Sequence, residues 1–418
     1  MDLQALGRKA KAAAPKLARL NTQQRNDALL AIADALEAHT DEILAANAKD
    51  VEAARAKGLT DALVDRLNLR GRLPGIIADV RAIVTLPDPV GCEYDRRVLE
   101  NGLRIARRTT PIGVIGVIYE ARPNVTVDVV TLCIKSGNAV LLRGGSETIE
   151  SNTVLVRVMK AALAQTAVPA DAIQLIESTD RELILAMLHM YEYIDMIIPR
   201  GGAALHKLCR ENSMIPVITG GVGVCHIYVD ETADQERALE IIYNAKTSRP
   251  SVCNSLDTVL VNEKIAATFL PRVVDYLSAG GVTFRAEPRA LTALNGSNKA
   301  DVQAAGSEDF DTEWMSLILG LKVVDTLDEA IDHINTHSKN HSDSILTHNM
   351  ADAERFLNEV DSSAVFVNAS TRFNDGAQFG LGAEIAVSTQ KLHARGPMGL
   401  EELTTYKWVV TGNGQIRV

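Results

Sequence analysis

The spacing of apolar positions changes once along the chain, near residue 110, and each spacing predicts a different kind of structure. Up to residue 57 apolar residues recur at helical intervals: Leu29, Ile32, Ala33 and Leu36 fall on one face, behind Asn21-Thr22 as an N-terminal cap. A charged helix is predicted over 41–57, stopped by Gly58, and another over 69–84, ended by LPDPVG. The segment 96–108, RRVLENGLRIARR, reads as two short arms joined by Asn101-Gly102, the pair favoured in type I′ hairpin turns. Arms so polar and arginine-rich make a poor core. They predict a solvated ribbon or an arm reaching another subunit.

From Pro111 the pattern becomes short apolar runs separated by helical stretches. PIGVIGVIY is nearly continuous, as in a strand buried on both faces. A turn, ARPN, leads into a helix over 125–136, closed by Gly137-Asn138, and AVLLR is the next strand. The units repeat: a helix to about residue 164, IQLIES, a helix over 181–189, YIDMIIP, a helix after Arg200-Gly201-Gly202, then CHIYVD, a helix near 236–244 and further alternations. Strand–helix alternation predicts parallel sheets covered on both sides, an α/β fold. In such sheets ligands bind beyond the strands' C-terminal ends. The chain holds no internal repeat.

Composition narrows the function classes. With 418 residues, 46% hydrophobic and 23% charged, the chain is that of an ordinary globular protein of two or three domains. A formal net charge of −10 argues against general nucleic-acid binding. The five cysteines are scattered, odd in number and without CxxC pairing, which predicts reduced thiols, no zinc site and a cytoplasmic setting. No run approaches the roughly 20 apolar residues of a membrane span, and the N-terminus lacks the apolar core of a secretory signal.

Candidate chemistry gathers at a few turns. In NAKTSRPSVCNSLDTVLV, Cys253 follows a polar, Pro-containing approach and precedes an apolar β-branched run, which predicts a loop presenting a thiol just before a buried strand. Lys246 and Arg249, close in sequence, can favour the thiolate, although many free cysteines are simply core residues. Arg143-Gly144-Gly145-Ser146 and Arg200-Gly201-Gly202 follow strands and can offer backbone N–H and guanidinium groups to phosphates. Neither is a GxGxxG or Walker A motif. No acidic residue lies between Arg143 and Ser146, which favours a ribose 2′-phosphate. His333, His337 and His341 have helical spacing, but the poor helix formers after Thr336 predict that the helix ends there. A polar loop lining a substrate pocket is preferred to a metal site.

With these pieces in order, the sequence resembles the aldehyde dehydrogenase superfamily and, within it, the γ-glutamyl phosphate reductases of proline synthesis. The resemblance spans nearly the whole chain and is carried by YEARPNVTVD, LLRGGSE, SRPSVCNS, VVDTLDEAIDHINTHSKNHSDSI and FGLGAEIAVSTQKLHARGPMGLEELTTYKW. Lys339 stands where the family pattern leads one to expect Ser or Thr. The resemblance implies two doubly wound α/β domains plus a small β oligomerisation arm. Residues 1–94 and 109–221 would bind the cofactor, 95–108 and 405–418 would form the arm, and 222–404 would carry the nucleophile.

By position, the resemblance makes Cys253 the nucleophile and Asn124 the oxyanion-stabilising amide. Arg143, Gly144, Ser146, Arg200, Gly201, Gly202 and Glu313 become cofactor residues, Glu313 as the carboxylate on the nicotinamide ribose. His341, Ser342 and Arg249 are assigned to the substrate, and no metal is expected. It further implies NADPH as cofactor, L-glutamate 5-phosphate as substrate, a homo-oligomer, and functional coupling to glutamate 5-kinase. Oxidising relatives carry a water-activating Glu two residues before a Gly-Gly pair; here Ile218 holds that position. Other readings of the same residues are a cysteine hydrolase or acyltransferase with a His base, a non-catalytic nucleotide-binding protein, and an aldehyde oxidation releasing free acid.

Overall fold

The computed structural model describes residues 2–220, 222–294 and 301–417; Gly221, the predicted end of the cofactor-binding portion, lies outside them. The chain divides into two compact units. One comprises residues 1–219, 380–386 and 398–418, the other 220–379 and 387–397.

In the first unit the helical prediction for the N-terminal stretch holds. Helices α1 (Leu3–Leu17), α2 (Thr22–Ala38), α3 (Thr40–Ala56), α4 (Asp61–Leu67) and α5 (Leu73–Thr85) follow one another. Asn21 caps α2 reciprocally: its side chain accepts from the Gln24 N–H at 2.9 Å, and the Gln24 side chain accepts from the Asn21 N–H at 3.0 Å. Leu29, Ile32, Ala33 and Leu36 are all fully buried. Gly58 ends α3 in the left-handed region at φ +74°. The short α4 escaped the sequence reading, being under two turns long.

Strands β1 (Glu93–Val98) and β2 (Arg104–Pro111) form the expected antiparallel hairpin, but the turn differs. Gly102 has φ +84°, whereas Asn101 is not among the described residues of positive φ. A type I′ turn needs both. Leu99 N–H donates to Leu103 O, and Asn101 Oδ1 accepts from the Leu103 N–H at 3.1 Å. The loop is thus a three-residue one with Gly102 alone left-handed.

Beyond the hairpin come β3 (Val114–Tyr119), α6 (Asn124–Lys135), β4 (Ala139–Gly144), α7 (Ile149–Leu163), β5 (Ile173–Leu175), α8 (Glu182–Leu188), β6 (Met196–Arg200) and α9 (Ala203–Asn212). The four strands form one parallel sheet in the order β5-β4-β3-β6. Every residue of β3 and β4 is buried. The chain winds outward from β3 to β5 and then returns to β6 on the other side of β3. The order therefore reverses between β3 and β6, the place where open sheets bind ligands.

The second unit carries β7 (Cys225–Val229), α10 (Gln235–Thr247), β8 (Leu256–Asn262), α11 (Glu263–Ser278), β9 (Thr283–Ala286), α12 (Pro288–Leu294), β10 (Val302–Ala304), β11 (Ile318–Val324), α13 (Leu327–His337), β12 (Ser342–Leu346), α14 (Met350–Glu359) and β13 (Ala364–Val367). Its sheet is parallel, ordered β10-β9-β11-β8-β7-β12-β13. Alternate residues feed separate cores. Ile227, Val229, Val259 and Val261 pack with Phe269, Val273 and Phe284, while Tyr228 and Leu260 pack with Ile331, Ile334, Ile345 and Phe356. A strand with a core on each face has no solvent-facing set, which is why CHIYV and VLV carry few polar residues.

Short strands β14 (Ala386–Ser388) and β15 (Gly396–Met398) pair with each other. The C-terminal β16 (Thr404–Thr411) pairs antiparallel with β2. In the resulting three-stranded sheet the Arg107 guanidinium lies 4.7 and 4.9 Å from the ring centroids of Tyr406 and Trp408. Among the described residues no helix is long and apolar enough to cross a membrane.

Candidate active site

Cys253 occupies the loop between α10 and β8, as its sequence context predicts, and is half-buried. The loop is polar, so hydrogen bonds rather than apolar burial fix it. Ser255 N–H closes a turn on Val252 O at 3.0 Å around the cysteine. Asn254 is clamped from a second chain segment. Its Nδ2 donates to the carbonyls of Arg372 and Asn374 at 3.3 and 3.1 Å, its own carbonyl accepts from Thr371 Oγ1 at 2.8 Å, and Arg372 Nη1 donates to its Oδ1. Arg372 Nε also donates to Ser248 Oγ at 3.2 Å, so one guanidinium ties both ends of the loop. Arg372 sits in STRFNDG after β13, a lone cation in a turn-forming stretch. Nothing in local pattern marked it.

Beneath the loop lie buried groups. Cys225 Sγ donates to Cys253 O at 3.2 Å, and burial raises the Cys225 thiol well above its ordinary value. Gly223 backs the same carbonyl so closely that a Cβ there would stand 2.3 Å from it. His341 and Ser342 are fully buried here, with His341 Nδ1 2.7 Å from Ser342 Oγ, which also accepts from Asn374 Nδ2 at 2.8 Å. The two are therefore part of the loop's support. Glu313 Oε1 accepts from the Gly223 N–H at 3.4 Å, and burial pushes the carboxyl up to about 7.

The two cations nearest Cys253 in sequence separate. Lys246 is fully buried, donates to Leu256 O at 2.7 Å and lies 3.5 Å from Asp257 Oδ1, so its charge serves the core. Burial lowers Lys246 and raises Asp257 to about 6. Arg249 is exposed. Its charge is felt at Arg372, whose guanidinium is held below its ordinary value by burial first and Arg249 second.

The histidine triplet does not line up. His333 and His337 lie close on α13, ring centroids 4.4 Å apart and planes tilted by 42°, but Lys339 and Asn340 turn left-handed at φ +56° and +61° and carry His341 away. Among the described residues no cluster of three or more His, Cys, Asp or Glu is disposed to hold a metal.

Asn124 opens α6 in the first unit, and its Nδ2 donates to Asp128 Oδ2 at 2.9 Å, leaving one further N–H on that nitrogen. Burial lifts Asp128 to about 6. Arg143, at the end of β4, turns inward: it is 6% exposed and donates to the carbonyls of Gly144, Thr179 and Asp180 at 3.0, 3.4 and 3.4 Å. Ser146 Oγ lies 3.4 Å from Glu147 Oε2, a carboxylate the sequence reading left out of account. At the end of β6 the Gly202 N–H donates to Glu120 Oε2 at 3.1 Å, and a Cβ on Gly201 would stand 2.5 Å from that oxygen. Arg200 and Ser146 as donors, Glu120 as acceptor and glycine backbone between them fit the mixed phosphates and hydroxyls of a dinucleotide.

Residues 1–301 match the aldehyde dehydrogenase family. The γ-glutamyl phosphate reductase of Tolumonas auensis is 60% identical over 410 residues, 98% of each chain, and that of Shigella flexneri 58% over 416 residues, 99% of this chain and 100% of that one. The chain belongs to the aldehyde dehydrogenase family, among its γ-glutamyl phosphate reductases. The crystal structure of the γ-glutamyl phosphate reductase from Thermotoga maritima superposes with a TM-score of 0.97 at 47% identity over 100% of both chains. An acetylating aldehyde dehydrogenase from Geobacillus thermoglucosidasius, 18% identical, shares the fold at a TM-score of 0.70 over 99% of this chain and 97% of that one.

The elevated Glu313 yields a test of the site's electrostatics. Its folded-state value, about 7, exceeds the ordinary 4.5, so its contribution to stability is full below about pH 4.5 and is lost as pH rises through 7. Glu313→Gln should therefore match the wild type near pH 4.5 and exceed it by up to about 3 kcal/mol near pH 8. Urea unfolding at the two pH values measures the difference. An equal difference at both would show that the carboxyl is not held protonated by burial.

Proposed function

We propose that the chain catalyses the NADPH-dependent reduction of L-glutamate 5-phosphate to L-glutamate 5-semialdehyde, releasing phosphate, through a thioester on Cys253. The observation that carries the proposal is the contrast between the two cysteines of the second unit. Cys225 is buried and keeps its proton, whereas Cys253 is half-exposed on a loop clamped by the Arg372 guanidinium, with Arg249 four residues before it.

The Cys253 thiolate attacks the acyl carbonyl, the bond to the phosphate oxygen breaks, and inorganic phosphate leaves. The free N–H of the Asn124 carboxamide is suited to hydrogen-bonding the oxyanion without adding charge. When bound, the nicotinamide supplies the hydride that the thioester carbon accepts. The resulting thiohemiacetal collapses by breaking the C–S bond, which frees the semialdehyde and restores the thiolate. Arg143, Gly144, Ser146, Arg200, Gly201, Gly202 and Glu313 are the residues proposed to hold the cofactor. Ile218, 3% exposed, offers no carboxylate to activate water, which supports phosphate over hydroxide as acyl acceptor in reverse. Acyl phosphates hydrolyse readily, which favours functional coupling to glutamate 5-kinase. The reduced, scattered cysteines suit the cytoplasm.

The reaction class is tested in reverse. With semialdehyde and NADP⁺, steady NADPH formation should require phosphate or arsenate, the rate without them being lower by roughly 10²–10⁴, the usual worth of a general base. Cys253→Ala should abolish turnover while cofactor binding survives. Comparable rates with and without phosphate would replace the proposal with aldehyde oxidation to the free acid.

For the cofactor, a charge-assisted contact to the 2′-phosphate is worth about 1.5–3 kcal/mol. Arg143→Ala should then raise the NADPH KM at least about tenfold and leave the NADH KM nearly unchanged. If its carbonyl bonds are the whole role of Arg143, both constants will move together and the melting temperature will fall.

Homo-oligomerisation is supported by the sheet of β1, β2 and β16, where Val98, Tyr406, Trp408 and Val410 are exposed at 69, 44, 45 and 55%. Sedimentation at micromolar concentration should show a dimer or larger species, and Trp408→Glu should shift it toward monomer. A monomeric wild type would reject the arm assignment.

A further inference from the structure

Arg249 has so far been given to the substrate without a partner group, and Arg372 only to holding the loop, yet both are charges coupled to the Cys253 loop. Arg372 is half-buried and held on two sides, through Nε to Ser248 Oγ at 3.2 Å and through Nη1 to Asn254 Oδ1. Its remaining edge, Nη2, takes part in neither bond. Arg249 follows Ser248 directly in the chain, so the clamp on Ser248 keeps the second cation's backbone close, and its charge is felt at Arg372. Their charges repel, and the carboxylate whose charge is felt at Arg372 is that of Asp375. Among the described residues neither arginine is salt-bridged to a carboxylate. Two cations coupled to one loop, one held by hydrogen bonds and one exposed, are an arrangement that a dianion would stabilise.

We propose that Arg249 and Arg372 form the binding site for the phosphoryl group of the acyl phosphate, holding the phosphate as it leaves the acyl carbon and as it returns to the thioester carbon in the reverse direction. The assignment rests on the reaction proposed above and names the leaving-group site within it. A guanidinium presents paired N–H donors that match phosphate geometry, and it stays charged where an ammonium would lose its proton on burial. In the forward direction the C–O bond breaks as negative charge grows on the phosphate oxygen, and the two cations stabilise that charge more than the charge of the intact acyl phosphate. The same cations favour the thiolate that attacks. Arg372 is the positioned member and Arg249 the adaptable one.

The experiment is reverse-direction kinetics on the full-length protein, with KM for phosphate and KM for semialdehyde determined separately. Wild type is compared with Arg372→Gln, Arg372→Lys and Arg249→Gln. Arg372→Gln should raise the phosphate KM by about tenfold or more, the scale of one charge-assisted contact, with the semialdehyde KM within about twofold. Arg372→Lys should recover part of the loss. Arg249→Gln, an exposed substitution that leaves the clamp intact, should move the phosphate KM in the same direction by less. Melting temperatures show whether Arg372→Gln keeps its fold, and if it does not, Arg249→Gln and Arg372→Lys decide the matter. Phosphate-dependent wild-type turnover with an unchanged phosphate KM in the folded variants overturns this assignment alone. A selective rise in the semialdehyde KM overturns it too, by showing that the arginines grip the substrate's carboxylate. Wild-type turnover indifferent to phosphate removes the acyl-phosphate reading and this site with it.

Discussion

The exchange of hydrogen bonds between Asn254 and the segment Thr371–Asn374 is what makes Cys253 more than a residue on a surface loop. A polar loop gains little from apolar burial, so its position depends on satisfied donors and acceptors. Asn254 donates twice, and its carbonyl and its Oδ1 both accept, all from residues far away in the chain. Each such bond contributes only about 1 kcal/mol net, but losing one partner strands a buried group at greater cost. The loop is thereby held as a unit. The segment that holds it is in turn fixed by Asn374 donating to Ser342 at the start of β12. The sheet's geometry reaches the cysteine through side-chain amides and a guanidinium, not through the backbone ladder.

Charge around the loop is sorted by burial. Lys246, nearest Cys253 among the lysines in sequence, is paired with Asp257 in the core, where a lone ammonium would be costly. Arg249 and Arg372 stay at the surface side, where guanidinium groups keep both charge and donors. Glu313 and Asp257 carry elevated values for the same reason that Lys246 is lowered: burial opposes charge of either sign. The cations that act on the loop are therefore arginines, and Asp375 is the carboxylate whose charge opposes Arg249 at Arg372.

What the sequence made legible was whatever depends on near neighbours. PIGVIGVIY and AVLLR announce β3 and β4 because strands covered on both faces must be apolar throughout. Asn21 and Gln24 announce the start of α2 because a capping box is a four-residue motif. Asn101-Gly102 marked the hairpin but gave the wrong turn, since one left-handed glycine satisfies a three-residue loop as well as a two-residue one. The poor helix formers after Thr336 foretold the end of α13 at His337, beyond which the left-handed pair Lys339-Asn340 turns His341 away. Lys246 looked like a partner for the thiol because sequence distance cannot tell an inward side chain from an outward one. Arg372 was invisible for the opposite reason: its partners, Ser248 and Asn254, become neighbours only when β13 takes its place in the sheet beside β12.

Cys225 and Cys253 show how one residue type takes two roles a few ångströms apart. Cys225 begins β7, is wholly buried, and lends its proton to the carbonyl of Cys253 at 3.2 Å. Desolvation makes its thiolate unfavourable, so it acts as a donor and a packing group. Cys253 belongs to the loop above and reaches solvent in part. The close approach of the two segments depends on Gly223, since any side chain there would meet the Cys253 carbonyl and the His341 ring together. A buried thiol that stabilises the loop and a partly exposed one can share one small volume because the sheet buries the first and the arginine clamp holds the second above it. In the proposed mechanism reactivity is set by depth, and depth by which residue begins the strand and which sits in the loop before it.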